Sequence, residues 1–182
     1  MSGWTNGKLS RRETERLLLR EVKISDADDI FAYASDPKVS KYVSWEAHYT
    51  KSETVSYIKY ILDTYKNGNL PCWGIEWKET GELIGTIDFV MWKPAHKTAE
   101  IGYVLSRDYW GKGIMTEAAK ELIAFGFDEL SLVRIQARCF NENAASEKVM
   151  QKIGMTFEGT MRKAMLVKGV HRDIKMYSII NN

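Results

Sequence analysis

The sequence predicts a single-domain α/β fold with one mixed, mostly antiparallel sheet flanked by helices. First, strand-like and helical segments follow one another in the order β-α-α-β-β-β-α-β-α-β-β. Second, several neighbouring strand segments are joined by turns of only a few residues, which an all-parallel, doubly wound sheet would not contain. Third, the 182 residues contain no repeat, low-complexity tract or linker, and this length suits one core.

The first part of the chain predicts one strand and two helices. The apolar run 16–22 is bounded by polar residues and predicts the opening strand. The segment 25–28 supplies an N-cap residue and acids for a first helical turn, and Pro37 predicts the end of that helix. A second, longer helix begins at the capping-box sequence 50–53 and ends at the Asn-Gly pair 67–68.

The remainder of the chain predicts six strands and two helices. Strand-like runs lie at 72–77, 83–91, 98–105, 133–139, 156–167 and 171–179. Apolar residues at helical spacing predict helices at 113–130 and 143–153, and Gly154 ends the second of them. Short turns at 78–82 and 168–169 predict two hairpins.

Composition and charge indicate an ordinary globular chain and exclude several classes of function. The net charge is only +2, with basic and acidic residues interleaved, so nucleic acid is not an expected partner. There is no signal peptide and no apolar run of membrane-spanning length. Neither Cys72 nor Cys139 has the spacing of a disulfide framework or a zinc site, and the three histidines form no metal set. We therefore expect a cytoplasmic protein without a metal or a membrane partner.

The beginning of the chain predicts a flexible segment. Residues 1–14 are polar, contain glycine and carry several basic residues, so they form either a basic arm or a frayed terminus. The domain is expected to occupy residues 15–180. No surface for self-association can be assigned from the sequence, so both a monomer and a homodimer are open.

A glycine turn before a long amphipathic helix is the feature that most strongly suggests chemistry. Gly111 and Gly113 allow the backbone to turn tightly and to bring its N–H groups close to a ligand. The first helical turn adds unpaired donors and the positive end of the helix dipole, which favour a phosphate, and Lys112 adds a charge. Thr116 stands where a dinucleotide fingerprint needs a third glycine, and the spacing also excludes a Walker loop. From the turn alone, a tight loop without a ligand is an equally good interpretation.

Three ordered motifs carry a family resemblance that covers nearly the whole chain. Residues 14–20 (Thr-Glu-Arg-Leu-Leu-Leu-Arg) form an opening strand motif, and residues 99–103 and 109–118 form a central motif around the glycine turn. Residues 143–146, followed by 152–155, form a second cofactor motif. With these motifs the chain resembles the GCN5-related N-acetyltransferase (GNAT) superfamily. Within it, the chain is most similar to the branch of ribosomal-protein-alanine N-acetyltransferases (RimJ/RimL-like).

The resemblance implies an acetyl-CoA-dependent N-acetyltransferase with two splayed central strands, 100–105 and 133–139. The pantetheine arm would lie in the opening, bonded like an extra strand to the backbone of Tyr103, Val104 and Leu105. Asn143 would bond the arm from the other side. The pyrophosphate would take the N–H groups of Gly111, Lys112, Gly113, Ile114, Met115 and Thr116.

Two departures from the family pattern matter. In the common Gln/Arg-x-x-Gly-x-Gly/Ala pattern, Asp108 holds the first place and Arg107 is one residue out of register. That place is loose in the ribosomal branch, so cofactor binding is still implied. Many members also carry a tyrosine general acid seven residues after the asparagine, and this chain has Met150 there. A methionine side chain has no proton to donate, so the usual acid is absent.

By the same resemblance, the amine attacks the thioester directly, without a covalent enzyme intermediate. A backbone N–H near Ile101 or Gly102 would hold the thioester oxygen. Glu100 is the candidate base for the amine, and the alternative is a carboxylate that pairs with a basic substrate or a neighbouring arginine. Ser146 contacts the cofactor and is the candidate proton donor to the sulfur. Its alternative role is to position the sulfur or cap a helix, since a thiolate can also take its proton from water.

Acceptor binding is less well indicated. Tyr33, Tyr42 and Trp45 fall in the early helical region where family members bind acceptors, although aromatic residues more often belong to a core. Cys139 lies near the implied reaction centre or is simply a small buried residue. On the final hairpin, Asp173 pairs with a neighbouring arginine or meets a cationic acceptor.

Three hypotheses follow for the function. The first is an N-acetyltransferase acting on a primary amine, namely a protein N-terminus such as that of a ribosomal protein, a small amine or an antibiotic. The second is an acyl-CoA-binding module without turnover, suggested by the missing tyrosine. The third is a phosphate- or nucleotide-binding protein that uses the same turn. Glu100 and Ser146 favour the enzyme.

Overall fold

Eight strands form one sheet in the order β1-β2-β3-β4-β5-β6-β8-β7. The computed structural model describes residues 9–67 and 72–181. The strands are β1 (Arg12–Glu13), β2 (Leu17–Arg20), β3 (Cys72–Trp77), β4 (Leu83–Lys93), β5 (Thr98–Leu105), β6 (Arg134–Phe140), β7 (Thr156–Val167) and β8 (Val170–Ile180). Within those ranges β5 and β6 form the one parallel pair, and the other neighbours are antiparallel. This sheet confirms the predicted fold class.

Five α-helices flank the sheet in the described ranges. They are α1 (Ala27–Ala34), α2 (Pro37–Ser40), α3 (Lys51–Lys66), α4 (Ile114–Asp128) and α5 (Ala144–Lys152). The capping box at the start of α3 is confirmed. Glu53 N–H donates to Thr50 Oγ1 at 3.4 Å, and Thr50 N–H donates to Glu53 Oε2 at 2.9 Å. The glycine expected to end this helix, Gly68, lies outside the described residues.

The first helix ends just before Asp36 and Pro37, as predicted from the sequence, but Pro37 also begins a further short helix that was not predicted. The chain leaves α1 after Ala34, and Pro37 then begins the short helix α2. Asp36 caps this helix, since Lys38 N–H donates to its Oδ1 at 2.8 Å. Proline fits the first helical position, where its missing N–H would have had no partner within the helix.

Helices lie on both faces of the sheet. On one face, Phe125 of α4 packs edge to face against Trp73, with 5.1 Å between the ring centroids, and also stacks on Phe89. Side chains alternate between the two faces along a strand, so Asp88 faces away from α4. On that other face α1 packs against α3 and β4, and Tyr57 of α3 is close enough to Asp88 to interact with it electrostatically.

The sheet opens between β5 and β6. The parallel pairing runs from Thr98 opposite Arg134 and stops where Ile101 meets Ala137. Beyond this point β5 stays paired with β4 as far as Leu105, while β6 stays paired with β8. This opening confirms the predicted splay of the central strands.

The N-terminal segment differs from the expectation of a flexible stretch over residues 1–14. Arg12 and Glu13 form β1, which pairs antiparallel with β2. Arg12 also forms ion pairs with Glu121 (2.7 Å) and Glu129 (2.5 Å) of α4, which join this edge strand to the helical layer. Residues 1–8 lie outside the described residues, and the domain limits of 15–180 stay a prediction. No helix in the described ranges has both the length and the apolar character needed to cross a membrane.

Candidate active site

The glycine turn adopts the conformation that its sequence requires. Gly111 has φ 74° and Gly113 has φ 76°, and both values lie in the left-handed region. A β-carbon on Gly111 would meet no atom within 4 Å. Glycine is therefore needed at this place for the backbone conformation and not for lack of space.

A row of free amides follows from that conformation. Among the described residues, the N–H groups from Gly111 to Thr116 make no hydrogen bond, and Glu117 N–H is the first to bond, to Gly113 O at 3.0 Å. These donors lie at the N-terminus of α4, where the helix dipole also favours negative charge. Successive free amides of this kind form a concave site that suits a phosphate or a diphosphate. They are the same groups that the sequence assigns to a pyrophosphate, and that role stays a prediction.

Residues just before β2 hold the glycine turn in place through contacts that the sequence did not indicate. Glu117 accepts hydrogen bonds from Thr14 Oγ1 (2.6 Å), from Arg16 N–H (2.9 Å) and from Arg16 Nε (2.8 Å). Arg16 Nη1 also donates to Lys112 O at 3.0 Å. Burial opposes the charged form of Glu117, but these hydrogen bonds outweigh it and hold the pKa of Glu117 below its usual value. The start of α4 is thereby fixed to β2.

Side chains next to the turn have partners within the protein. Lys112 Nζ lies 5.2 Å from the ring centroid of Tyr109, in a cation–π contact. Trp110 Nε1 donates to Leu105 O at 2.8 Å. Of the backbone groups that the sequence assigns to the pantetheine arm, the Leu105 carbonyl therefore already accepts one hydrogen bond.

The two walls of the opening come from β5 and from the start of α5. Tyr103 and Val104 lie on β5 beyond its last pair with β6. Asn143 is the N-cap of α5, and its Oδ1 accepts from Ser146 N–H at 3.2 Å. Its Nδ2 makes no hydrogen bond to any described residue, so this amide group is left as a donor on the α5 side. The structure thus brings the predicted cofactor residues around one opening.

A tyrosine–serine pair spans the opening. Tyr103 Oη lies 2.8 Å from Ser146 Oγ and 3.3 Å from Ser146 O. Burial raises the pKa of Tyr103 to about 12, although the hydrogen bond with Ser146 acts in the opposite direction. Of the alternatives for Ser146, the helix cap is wrong, because Asn143 caps α5. From the sequence, only the backbone of Tyr103 is assigned to cofactor binding. Nothing in the motif spacing indicates that the hydroxyl group of Tyr103 contacts Ser146.

The residue at the position of the usual tyrosine general acid cannot take over its role. Met150 is fully buried in the hydrophobic core. Cys139, on β6, is also buried, and burial raises the pKa of its thiol to about 11. Met150 has no proton to donate, whereas the buried Cys139 thiol keeps its proton at neutral pH. The hydroxyl groups of Tyr103 and Ser146 and water are the other donors for the sulfur.

Glu100 is buried and both of its carboxylate oxygens have partners. Arg138 Nε lies 2.8 Å from its Oε1, and Gln136 Nε2 donates to its Oε2 at 2.7 Å. The arginine is the neighbouring cation of the second interpretation given above. A proton-acceptor role would have to use the remaining lone pairs of these oxygens against the positive charge of Arg138, and it stays a prediction. The sequence suggested a neighbouring arginine without identifying it and did not indicate Gln136, because both partners come from the register between β5 and β6.

The polar row continues along β6. Arg134 donates to Gln136 Oε1 and forms a two-pronged pair with Glu158, at 2.6 Å for each bond. Ser178 Oγ donates to Glu158 at 2.6 Å. The hydrogen bonds from Arg134 and then Ser178 lower the pKa of Glu158 to about 2. This row positions the side chains that surround Glu100.

The three residues predicted to contact the acceptor have different environments in the structure. Tyr33 is only 3% exposed and belongs to the hydrophobic core, so it follows the core alternative. Tyr42 packs edge to face on Phe140 with 6.4 Å between centroids, and Trp45 lies against His48 at 5.5 Å. Tyr42 and Trp45 are partly exposed, and their role toward an acceptor stays a prediction.

On the final hairpin, the carboxylate of Asp173 bonds to a backbone group of the same hairpin. Asp173 Oδ1 accepts from Lys163 N–H at 2.8 Å. Within the described residues, Asp173 and Arg162 form no ion pair, so the pairing considered from the sequence is replaced by this backbone contact.

Comparison with known proteins places this geometry in a family. A family model described as an acetyltransferase (GNAT) domain matches residues 16–156. An uncharacterized N-acetyltransferase, p20 of Bacillus licheniformis, is 39% identical over 167 residues, which cover 92% of this chain and 94% of the relative. The ribosomal-protein-serine acetyltransferase of Escherichia coli is 34% identical over 99 residues, 54% of this chain and 55% of the relative.

Solved structures share the whole fold. A GNAT-family acetyltransferase from Bacillus anthracis superposes with a TM-score of 0.84 and 32% identity, over 94% of this chain and 98% of that one. The microcin C7 self-immunity acetyltransferase MccE, solved in complex with acetyl-CoA and AMP, gives a TM-score of 0.83 and 26% identity, over 92% and 94%. The matched domain, these relatives and the opening in the sheet lead to one conclusion. The chain belongs to the GNAT family of acetyltransferases and is an N-acetyltransferase.

Proposed function

We propose that this N-acetyltransferase binds acetyl-CoA in the opening between β5 and β6 and transfers the acetyl group to a primary amine. The proposed acceptor is the N-terminal α-amine of a ribosomal or other protein. The row of free amides from Gly111 to Thr116 is the observation that carries the proposal, because these donors and the positive end of the helix dipole favour an anionic group such as a pyrophosphate.

Residues on both walls of the opening support the proposed binding of the cofactor. The free amides suit the pyrophosphate, and the edge of β5 from Gly102 to Leu105 offers main-chain groups to the pantetheine arm as an added strand would. Asn143 Nδ2 supplies a donor on the opposite wall. MccE, which shares the fold at 26% identity and was solved in complex with acetyl-CoA, supports acetyl-CoA as the cofactor.

The reaction requires a neutral amine, a stabilised oxyanion and a proton for the departing sulfur. The backbone at Ile101 and Gly102 is proposed to hold the thioester oxygen. Ser146 is proposed to protonate the sulfur, with Tyr103 Oη donating to Ser146 Oγ so that the serine hydrogen is directed elsewhere. Glu100 is proposed to act within the acceptor site, as a base or through Arg138.

The choice of a protein N-terminus rests on the named relatives. The Escherichia coli relative is a ribosomal-protein-serine acetyltransferase, and the matched region covers about half of each chain. Tyr42 and Trp45 are partly exposed aromatic side chains and are proposed to contact the first residues of the peptide. A small amine or an antibiotic is the alternative acceptor.

The proposal is tested by acetyl transfer to a defined panel of amines. The panel contains alanine- and serine-initiated peptides with a free α-amine, the same peptides with a blocked α-amine and an internal lysine, and spermidine. Thiol release from acetyl-CoA and the intact mass of each amine are measured. We expect one acetyl group on the free α-amine and none on the blocked peptides.

Other outcomes separate the competing functions. Acetylated spermidine with unmodified peptides would replace the protein acceptor by a small amine. Coenzyme A binding without thiol release above background would support the non-catalytic module. Protection against thermal unfolding by ATP or NAD, but not by coenzyme A, would overturn the assignment of the opening to acetyl-CoA.

A further inference from the structure

A partly exposed carboxylate, Asp88 on β4, lies beside the point where β5 and β6 separate. Its Cα is paired in register with Gly102 of β5. Gly102 directly follows Ile101, the last residue of β5 that pairs with β6. A β-carbon on Gly102 would lie only 3.2 Å from Asp88 Oδ1. The carboxylate therefore lies over the bare backbone of Gly102, where the thioester oxygen is proposed to bind.

The environment of Asp88 differs from that of Glu100, the carboxylate on the neighbouring strand. Both oxygens of Glu100 are held by Arg138 and Gln136. Asp88, in contrast, makes neither a hydrogen bond nor an ion pair with any residue in the described ranges. Packing around this carboxylate disfavours its charged form, and with no partner to offset that effect it can accept a proton.

Apart from Glu100, the titratable groups around Asp88 are neutral at pH 7 and do not compete for that proton. The groups that face Asp88 are Tyr33 of α1, Tyr57 of α3, Cys72 of β3, Thr86 of β4 and Glu100 of β5. Burial raises the pKa values of both phenols and of the thiol, so these groups stay neutral near pH 7. Burial also raises the pKa of Asp88 to about 7, which is suitable for taking up and returning a proton at neutral pH.

We propose that Asp88 takes the proton from the acceptor amine, and that Glu100 is a positioning residue which holds Arg138 and Gln136 beside it. This inference rests on the proposed acetyl transfer. No residue motif predicted it from the sequence, because Asp88 is brought to Gly102 only by the register between β4 and β5.

The proton balance of the step is as follows. An ammonium group gives one proton to an Asp88 oxygen, and the neutral nitrogen then attacks the thioester carbon, so that a C–N bond forms. The C–S bond breaks and its electron pair leaves on the sulfur. The nitrogen loses its second proton to water, and the sulfur takes one proton from Ser146 or from water. Asp88 returns its proton to solvent, so the net products are the amide, the thiol and one proton.

The test is the pH dependence of kcat for Asp88→Asn, with acetyl-CoA and the alanine-initiated peptide, or spermidine if that is the amine acetylated. For the wild type, kcat should rise through about pH 7 and then level off. The variant should lose roughly 10²- to 10⁴-fold at pH 7, the usual contribution of a general base. Its residual kcat should keep rising until the free amine is itself neutral, near pH 8 for an α-amine, so that the loss shrinks with increasing pH.

Matched variants separate proton transfer from structure. Thr86→Val removes a buried polar group from the same face of β4, and it should leave the rise near pH 7 in place. Glu100→Gln should lower kcat without removing that rise. Coenzyme A affinity of Asp88→Asn should stay within about twofold of the wild type. Asp88→Ser is a second variant for the same profile, since its small side chain leaves room for water if the asparagine packs poorly.

A readout without turnover accompanies the profile. Thermal unfolding in the absence of cofactor should depend less on pH between 5 and 8 in Asp88→Asn than in the wild type, because the titrating group has been removed.

The inference and the proposed function fail in different ways. If the wild type is active and Asp88→Asn loses the same factor at every pH, or keeps the rise near pH 7, Asp88 is not the proton acceptor. If Glu100→Gln alone removes the rise, the base is Glu100. If the wild type acetylates no amine in the panel, the proposed function is wrong and this inference is overturned with it.

Discussion

Glycine is needed at position 111 because of the local backbone conformation. Its φ of 74° is strained for any residue with a β-carbon, yet the space around it is empty. Gly81, in the hairpin between β3 and β4, has φ 76° and equally empty surroundings. The two glycines therefore have the same intrinsic conformation, and they differ in that only Gly111 belongs to the row of free amides.

This difference predicts distinct effects for two alanine substitutions. Gly111→Ala and Gly81→Ala should each lower the free energy of unfolding by about 1–2 kcal/mol, the cost of left-handed backbone for an L-residue. Only Gly111→Ala should weaken coenzyme A binding, by about tenfold or more, because relief of the strain turns the amides away from the phosphates. Urea unfolding and isothermal titration calorimetry measure the two effects. Equal coenzyme A affinity in both variants would exclude the turn as the pyrophosphate site.

Asp88 connects protonation to folding in the direction opposite to that of an ion-paired carboxylate. Its pKa is about 7 in the folded protein, above the value of about 3.9 expected for an unfolded chain. Between these two values the folded state binds more protons than the unfolded state. The stabilisation is therefore complete below about pH 4 and is lost as the pH rises to 7, after which it stays constant.

Asp88→Asn should consequently stabilise the protein at high pH and not at low pH. At pH 8 the free energy of unfolding should exceed that of the wild type by up to about 4 kcal/mol, which is the full value of the shift. At pH 4 the two proteins should unfold alike. Urea unfolding at both pH values checks this, and a gap that is independent of pH would mean that the carboxyl group does not titrate as described.

At the scale of the elements, the sequence predicts those whose signals are local. The capping box of α3 and the strand Thr98–Leu105 are confirmed at the predicted places, because caps, periodicity and turn residues all act within a few positions. The short elements differ. β1 is two residues long and depends on β2 and on the ion pairs of Arg12 with α4, so no local pattern indicates it. α2 begins at Pro37, whereas from the sequence this proline predicts only the end of the preceding helix.

The start of α5 combines a structural and a binding role in one residue. Asn143 Oδ1 caps the helix by accepting from Ser146 N–H, while Nδ2 is the proposed donor to the pantetheine arm. Thr50 caps α3 in a comparable way, but it lies in the capping box at the start of another helix. It therefore serves as the matched control for the loss of a cap.

Three variants separate the two roles of Asn143. Asn143→Ala and Thr50→Ala should each lower the free energy of unfolding by about 1 kcal/mol, the usual cost of a lost N-cap. Asn143→Asp should keep the stability, because aspartate caps as well as asparagine does. Both Asn143 variants should bind coenzyme A more weakly, whereas Thr50→Ala should bind it as the wild type does. Wild-type affinity in Asn143→Asp would show that Nδ2 makes no contact with the cofactor.

For the whole molecule, the predictable part of the site is the part that is continuous in sequence. The amides of residues 111–116 and the segment of Asn143 and Ser146 each belong to one continuous stretch, so motif and spacing are sufficient to select them, although not to show which of the two residues caps α5. The partners Gln136 and Arg138 of Glu100, and Asp88 beside Gly102, are set by pairing between strands. A register shift of one residue would turn each of these side chains to the other face, and the sequence does not define that register closely enough.

Ligand binding in the opening of the sheet can be followed through the hydrogen exchange of backbone amides along the chain. Residues 102–105 of β5 have β4 on one side and lack β6 on the other, so their open-side amides should exchange hydrogen faster than those of residues 98–101. Coenzyme A should slow exchange at 102–105 and at 111–116, because it bonds both the strand edge and the free amides. Strand β7 should not respond, since it lies at the edge of the sheet and is separated from the opening by β6 and β8. Mass spectrometry of peptides from protein with and without coenzyme A measures this pattern. Slowing at 111–116 alone would mean that only the phosphates are held, and the proposed path of the pantetheine arm along β5 would then be wrong.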